Sequence, residues 1–142
     1  MKTKVITENI TEAAELIRQG ALVAVPTETV YGLAGSGFNE SAVERIYEVK
    51  GRPEVKPLSL MVPGPEAFEK CCTEVPEAAR VLAERFWPGP LTIVLPAREE
   101  IPGVVLAGGH TVGLRCPDHP LTLRLLRECA LPLAAPSANP SG

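Results

Sequence analysis

Short, largely apolar runs recur along the chain, and Pro, Gly or polar residues bound each of them. Runs of roughly four to eight such residues are typical of strands that are covered on both faces of a sheet. On this basis strands are predicted at residues 21–25, 58–62, 91–95, 112–116 and 133–135. The chain therefore has enough strands to build a sheet with buried faces.

Apolar residues at helical spacing lie between most of these strands, and they predict helices at residues 9–20, 41–50, 65–72, 76–86 and 118–129. Asn9 or Thr11 can cap the first helix. Ser41 and Glu44 have the form of a capping box at the second. Asp118 is the predicted cap of the last.

Two segments show neither pattern. Residues 27–37 are punctuated by glycines and are predicted to form a loop. Residues 96–111 are predicted to form a loop rich in Pro and Gly without a helix, so the strands on either side of it need not be parallel. These features favour the α/β (α+β) class, with a mixed sheet and flanking helices in a single domain over residues 1–142.

The composition excludes several kinds of protein. Fifteen Pro and 12 Gly residues argue against a helical bundle, and a net charge of −3 with 4% aromatic residues argues against a nucleic-acid clamp. No run approaches the roughly 18 apolar residues of a membrane helix, and no secretory signal is recognisable. Four cysteines without CxxC spacing indicate reduced thiols and predict a cytoplasmic location with no assigned metal site.

Polar clusters follow two of the predicted strands, at the position where open α/β sheets bind ligands. Residues 27–31 contain two hydroxyl groups, a carboxylate and a phenol in close succession, and Thr29 carries one of the hydroxyls. Residues 134–142 are small, and their polar side chains include Ser137 and Asn139. Both segments are also compatible with turns whose side chains only satisfy local backbone groups, so both interpretations stay open.

Cations form a further cluster between a predicted helix and a predicted strand. The helix dipole accounts for Lys50 at the helix end, but it does not account for Arg52 and Lys56. Cations on a segment stiffened by prolines are typical of a site for a polyanion such as a triphosphate. Arg115 adds a cation at the end of an apolar strand, where a merely solvated arginine is less expected.

The sequence offers these groups without a conventional phosphate loop. It contains no GxxxxGK[ST], no GxGxxG and no Ser/His/Asp set with a credible base, and its histidines are limited to His110 and His119. This inventory favours catalysis by positioning and by neutralisation of charge at phosphorus, as in nucleotidyl or phosphoryl transfer.

Five ordered motifs carry a resemblance to a known family. They are PTETVYGL at 26–33, IYEVKGRP at 46–53 with PL at 57–58, WPGPLT at 87–92, VGLR at 112–115 and APSAN at 135–139. From about Ala13 to its last residue, the chain resembles the YrdC-like threonylcarbamoyl-AMP synthases. The resemblance implies a twisted α/β sheet around a concave cavity, the YrdC-like fold.

The resemblance also implies an activity. Members of this family make threonylcarbamoyl-adenylate and pyrophosphate from L-threonine, bicarbonate and ATP. A separate tRNA threonylcarbamoyl-transfer complex then uses the product. ATP is a substrate here, Mg²⁺ is expected to accompany it, and no tightly bound cofactor is implied.

Roles for particular residues follow from matching positions in the motifs. Thr29 and Arg115 are expected to hold threonine, with Arg115 on its carboxylate. Lys50 and Arg52 are the expected catalytic cations. The nucleotide and bicarbonate end is expected to comprise Lys50, Arg52, Lys56, Thr111, Ser137 and Asn139.

Departures from the family pattern leave alternatives. Met61 stands where some relatives have His, so no threonine contact is assigned there. The family domain continues beyond its Ser-Ala-Asn motif, so the chain is expected to lack the C-terminal part of that domain. Alternative functions are an RNA-binding module of the same fold, with weak tRNA binding, or a carbamoyl-adenylating domain of the hydrogenase-maturation type.

Overall fold

A computed structural model describes residues 4–5, 9–27, 31–51 and 57–136. The described strands form one sheet in the order β1-β2-β3-β7-β4-β6-β5. They are β1 Lys4–Val5, β2 Val23–Pro26, β3 Tyr31–Ser36, β4 Ser59–Met61, β5 Thr92–Pro96, β6 Thr111–Arg115 and β7 Leu133–Ala134. The pairs β1/β2 and β4/β6 are parallel and the other neighbours are antiparallel, which confirms the predicted mixed sheet.

Helices lie on both faces of this sheet. They are α1 Ile10–Arg18, α2 Glu40–Lys50, α3 Phe68–Cys71, which extends a 3₁₀ turn at Pro65–Ala67, α4 Glu77–Phe86, α5 Gly103–Leu106 and α6 Pro120–Cys129. None of the described helices is long and apolar enough to span a bilayer.

The predicted helix caps are right at α1 and wrong at two other helices. Asn9 caps α1 by accepting a hydrogen bond from the Glu12 backbone N–H. Asn39, rather than Ser41, caps α2, because the helix begins at Glu40 and the Asn39 side chain accepts from the backbone N–H of Ala42. His119, rather than Asp118, occupies the cap position of α6.

The predicted loop at residues 27–37 is also wrong, because β3 occupies most of it and pairs with β2. Gly35 lies in β3 and Gly37 lies in the turn that follows it, and both are closely packed. A Cβ on Gly35 would lie 2.8 Å from Cδ2 of Leu22, and one on Gly37 would lie 2.7 Å from Cδ2 of Leu60. These contacts leave no room for a side chain, so the glycines let the strand approach its neighbours.

Two shorter elements were not anticipated. The short helix α5 lies in the connection between β5 and β6 that was predicted to hold no helix, and β1 pairs with β2 through only two residues. Neither has a long enough periodic pattern to be recognised from the sequence.

The helices divide the core into two layers. On one face α2 to α5 pack over the sheet, with buried side chains that include Val43, Ile46, Phe68, Leu60 and Leu114. On the other face α1 and α6 pack over β2, β3 and β7, with buried side chains that include Ala14, Ile17, Leu125, Leu126 and Leu133. The cluster under those two helices extends as far as Met61 of β4 and includes no residue of β5 or β6.

Candidate functional site

β5, β6 and the start of β4 form the uncovered half of the sheet, meaning the part of the α1 and α6 face that no described helix covers. Side chains along β5 and β6 alternate between buried and accessible positions, whereas in β4 Ser59 is exposed and both Leu60 and Met61 are buried. Leu60, Leu114 and Ile93 point into the core under α2 to α5, whereas Ser59 and Thr92 are exposed on the opposite face. Because the cluster under α1 and α6 includes no residue of β5 or β6, the polar side chains of these strands and of Ser59 are not covered by a described helix.

A cavity of about 200 Å³ lies on this uncovered half. Its walls are drawn from four strands and their ends, and they comprise Pro57, Leu58, Ser59, Met61, Thr92, Arg115, Ala135 and Pro136. The start of β4, the end of β6 and the end of β7 therefore meet here. This agrees with the concave cavity that the resemblance implies.

Arg115 is the charged group of this cavity. It is the last residue of β6 and pairs with Thr92 on one side and Met61 on the other. Its Nε atom is buried and its side chain as a whole is half-buried. A guanidinium held in a partly desolvated wall is suited to a carboxylate or phosphate, because it offers a planar fork of donors.

Gly113 keeps the middle of β6 open. A Cβ at this position would lie 3.1 Å from Oγ of Ser59 and 3.0 Å from Cγ2 of Thr92. The side chains of the two flanking strands therefore lean toward each other over a glycine. Any larger residue at position 113 would fill that space.

Met61 marks the boundary between core and cavity. It lines the cavity, and it also belongs to the apolar cluster under α1 and α6, where it is buried. Its neighbours in β7, Leu133 and Ala134, are fully buried as well. The cavity therefore ends where the α1 and α6 layer begins.

Lys50 and Thr111 are described, but neither lines this cavity. Lys50 is the last residue of α2 and is buried at 9% exposure, next to Gly51, which ends the helix with a φ of 64°. Thr111 is exposed at the start of β6. It shares a strand face with Arg115, roughly 13 Å away along β6 at the usual rise per residue.

Five predicted site residues lie outside the described residues. They are Thr29, Arg52, Lys56, Ser137 and Asn139. Two described residues next in sequence to Lys56 and Ser137, namely Pro57 and Pro136, line the cavity. The backbone N–H of Leu33 also donates to the carbonyl of Pro136 at 2.8 Å, which ties the end of the β7 segment to β3.

Ser59 and Thr92 were not among the predicted site residues. Each stands alone among apolar neighbours, in LSLMV and LTIVL. In a strand with one face in the core, such a polar residue belongs to the other face. The alternation of polar and apolar residues therefore places Ser59 and Thr92 on the accessible face. It indicates a binding site only once the structure shows that no described helix covers that face.

The described cysteines are free and buried, and none of them is among the residues that line this cavity. Burial raises the pKa of Cys71 to about 12 and that of Cys72 to about 11. Both therefore stay as neutral thiols at physiological pH. Among the described residues, no group of three or more His, Cys, Asp or Glu side chains could hold a metal ion.

A second cavity, of about 230 Å³, lies at the far end of β4 and β7. Its walls include Val62, Pro63, Leu126, Leu131 and Pro132, with charged groups at Glu66, Lys70 and Arg127. None of the predicted site residues lines it. The cavity at Arg115 is therefore the better candidate despite its smaller size.

Comparison with known proteins gives a consistent set of relatives. Residues 15–142 match the profile of the Sua5/YciO/YrdC family, described as telomere recombination. The threonylcarbamoyl-AMP synthase of Pyrococcus abyssi is 52% identical over 130 residues, and that of Bacillus subtilis is 49% identical over 134 residues. These segments cover 92% and 94% of this chain but only 38% and 39% of those proteins. The chain thus spans less than half the length of these curated relatives.

Solved structures share the fold. The crystal structure of P. abyssi Sua5 complexed with L-threonine has a TM-score of 0.93 and 47% identity, over 100% of this chain and 43% of that chain. HypF in its phosphate- and nucleotide-bound form has a TM-score of 0.80 and 25% identity, over 95% of this chain and 21% of that chain. The fold is common to both, whereas the identity is much higher with Sua5. The resemblance carried by the five motifs is therefore confirmed, and the chain belongs to the Sua5/YciO/YrdC family.

Proposed function

We propose that this chain carries the catalytic site of an L-threonylcarbamoyladenylate synthase, which converts L-threonine, bicarbonate and ATP into threonylcarbamoyl-AMP and pyrophosphate. The observation that carries the proposal is the cavity walled by Arg115, Ser59 and Thr92. P. abyssi Sua5, which has the same fold, has been solved in complex with L-threonine. The chain spans under half the length of the named relatives.

The proposed reaction forms two bonds in sequence. The neutral amine of threonine attacks the carbon of bicarbonate, a C–N bond forms and water leaves, which gives a carbamate. An oxygen of that carbamate attacks the α-phosphorus of ATP. The bond from this phosphorus to the bridging oxygen of the β-phosphate breaks, and pyrophosphate leaves with the electron pair.

In this proposal the protein acts by orientation and by electrostatics. Arg115 pairs with the threonine carboxylate, assisted by Thr29. Lys50 and Arg52 neutralise charge that develops on the phosphates, and they act as the catalytic cations. Lys56, Thr111, Ser137 and Asn139 complete the nucleotide and bicarbonate end.

Mg²⁺ is proposed as a companion of ATP. A divalent cation bound with ATP would supply positive charge that neutralises the leaving pyrophosphate. The described lining of the cavity supplies one cation, Arg115, and the hydroxyls of Ser59 and Thr92, and the described residues hold no cluster of carboxylates that could bind a metal ion. They therefore fit a metal that the phosphates hold.

The proposed partner of the reaction is a tRNA threonylcarbamoyl-transfer complex that receives the product. We place the reaction in the cytoplasm, as the reduced thiols predict. Weak binding of tRNA by the chain itself is a separate hypothesis, and a salt-dependent binding measurement tests it, because a backbone clamp loses affinity steeply with salt.

The direct test is product formation. Purified protein would be incubated with ATP, Mg²⁺, L-threonine and bicarbonate, and threonylcarbamoyl-AMP would be identified by mass spectrometry alongside released pyrophosphate. We expect both products, and we expect neither when threonine or bicarbonate is omitted. Pyrophosphate release that needs carbamoyl phosphate instead of threonine would show the hydrogenase-maturation type of activity and contradict the proposal.

A further inference from the structure

Alternate residues of β6 lie along the accessible face of the strand: Arg115 at one end, Gly113 in the middle and Thr111 at the other end. Under the proposed function, on which this inference rests, Arg115 holds the threonine carboxylate and Thr111 belongs to the nucleotide end. Gly113 lies roughly 7 Å from each of them at the usual strand rise. On that assignment, the bonds that form and break between amino acid and nucleotide lie between Arg115 and Thr111, along the part of the strand that contains Gly113.

The space over Gly113 has one polar side and one apolar side. A Cβ there would meet Oγ of Ser59 at 3.1 Å and Cγ2 of Thr92 at 3.0 Å. Ser59 thus presents its hydroxyl to this space, whereas Thr92 presents its methyl group. Ser59 also pairs directly with Gly113 across the β4/β6 ladder, so the register of the sheet fixes its position.

The register makes Ser59 a well-positioned donor. Its neighbours Leu58 and Leu60 are buried in the core, which anchors the backbone on both sides of it. Its own side chain is exposed and lines the cavity next to Arg115. A serine hydroxyl can donate one hydrogen bond and accept others, which suits a small oxyanion.

We infer that Ser59 binds the one-carbon unit of the reaction. Its hydroxyl donates a hydrogen bond to an oxygen of bicarbonate and then to the same oxygen in the carbamate. Gly113 leaves room for that unit between the threonine end and the nucleotide end. Ser59 is thus a binding residue for bicarbonate, distinct from the cations that act on the phosphates.

The test separates bicarbonate from the other substrates. Ser59→Ala is expected to raise the KM for bicarbonate roughly three- to tenfold, the range for one lost hydrogen bond. The KM for ATP is expected to stay within about twofold of its value in the unchanged protein, and so is the Kd for threonine, which calorimetry measures. Ser41→Ala, an exposed serine on α2, is the matched control and is expected to leave all three unchanged.

A second variant probes the space itself. Gly113→Ala is expected to lower kcat and raise the bicarbonate KM while threonine still binds, because the added methyl group takes the position of the one-carbon unit. Circular dichroism would verify that both variants fold.

The outcomes distinguish the two proposals. Failure of the unchanged protein to form threonylcarbamoyl-AMP would overturn the proposed function and this inference together. Normal product formation with an unaltered bicarbonate KM in Ser59→Ala would overturn only the role of Ser59. An equal rise in the KM values for threonine, ATP and bicarbonate would also overturn it, because such a change reports a general distortion of the cavity.

Discussion

Arg115 is the predicted site residue whose placement the structure describes most fully. It was singled out because a cation at the end of an apolar strand is unusual, and it forms part of the cavity wall. The half-buried guanidinium can make a paired, charge-assisted contact with a carboxylate that an exposed arginine could not hold as firmly. Its contribution to binding should therefore exceed that of a surface cation.

Substitution of Arg115 tests this directly. Arg115→Ala is expected to weaken threonine binding by about 1.5–3 kcal/mol, or roughly 10- to 150-fold in Kd, since a hydrogen-bonded charge pair is lost. Isothermal titration calorimetry measures the change. Arg85→Ala, at an exposed arginine of α4, is the control and should bind threonine normally. Equal affinities for the two variants would remove Arg115 from the threonine site.

The buried thiols give the protein a pH-dependent stability at alkaline pH. The pKa of Cys71 rises from 9.0 in an exposed setting to about 12 in the folded protein, because burial disfavours the thiolate. Between these values the unfolded chain releases a proton that the folded chain retains, so stability is full below pH 9 and falls as the pH rises toward 12. The loss from this thiol is about 1 kcal/mol at pH 10.

Denaturant unfolding at pH 8 and pH 10 measures that loss. Cys71→Ala is less stable at both values because it leaves a cavity, but its stability should fall by about 1 kcal/mol less between them than that of the unchanged protein. An identical fall in both proteins would show that Cys71 ionises in the folded state as readily as in the unfolded one.

At the scale of the element, α2 shows how a helix start can be misplaced by two residues. The sequence favours Ser41 as the cap because Glu44 follows at capping-box spacing. The structure instead uses Asn39, whose side chain accepts from Ala42, and Ser41 is already inside the helix. Both residues are good caps, so local pattern alone does not choose between them.

Paired substitutions distinguish the two starts of α2. Asn39→Ala is expected to lower the free energy of unfolding by about 1 kcal/mol, because a cap hydrogen bond is lost. Ser41→Ala should be neutral or slightly stabilising, since alanine is the better helix former inside a helix. Denaturant titration measures both, and the reverse order would restore the start at Ser41.

The sequence predicts most strands and helices because their apolar patterns are local. It fails at β3 because the glycines of this segment are read as turn residues, whereas Gly35 lies in the strand and avoids a clash with Leu22, which comes from another part of the chain. The cavity shows the same limit. Arg115 is recognisable in the sequence, but Ser59 becomes a candidate site residue only because no described helix covers its part of the sheet.

At the scale of the whole molecule, the cavity joins strands that are far apart in sequence. β4, β6 and the end of β7 contribute its walls, and the proposed substrate would contact all of them. A ligand that binds only the folded arrangement stabilises it by mass action. Threonine binding should therefore be visible as increased stability of the whole fold.

Thermal unfolding tests this coupling. Threonine at about one hundred times its Kd is expected to stabilise the protein by about 2.7 kcal/mol and to raise Tm by roughly 5–10 °C for a domain of this size. Valine, which is similar in volume but has no hydroxyl, is the comparison ligand and should raise Tm less. Calorimetry could instead detect binding of both amino acids while neither of them raises Tm. That result would show that their binding site does not depend on the folded arrangement of β4, β6 and β7.

Met61 gives the molecule a constraint on how it can diverge. Its side chain is shared between the packing under α1 and α6 and the wall of the cavity. A relative in which this residue is altered to accommodate a different ligand would have to repack the neighbouring helices at the same time. Methionine suits a position that faces both the core and the cavity, because its unbranched chain can adjust to irregular surroundings. A change of ligand preference at Met61 would therefore also require compensating changes among core residues that do not contact the ligand.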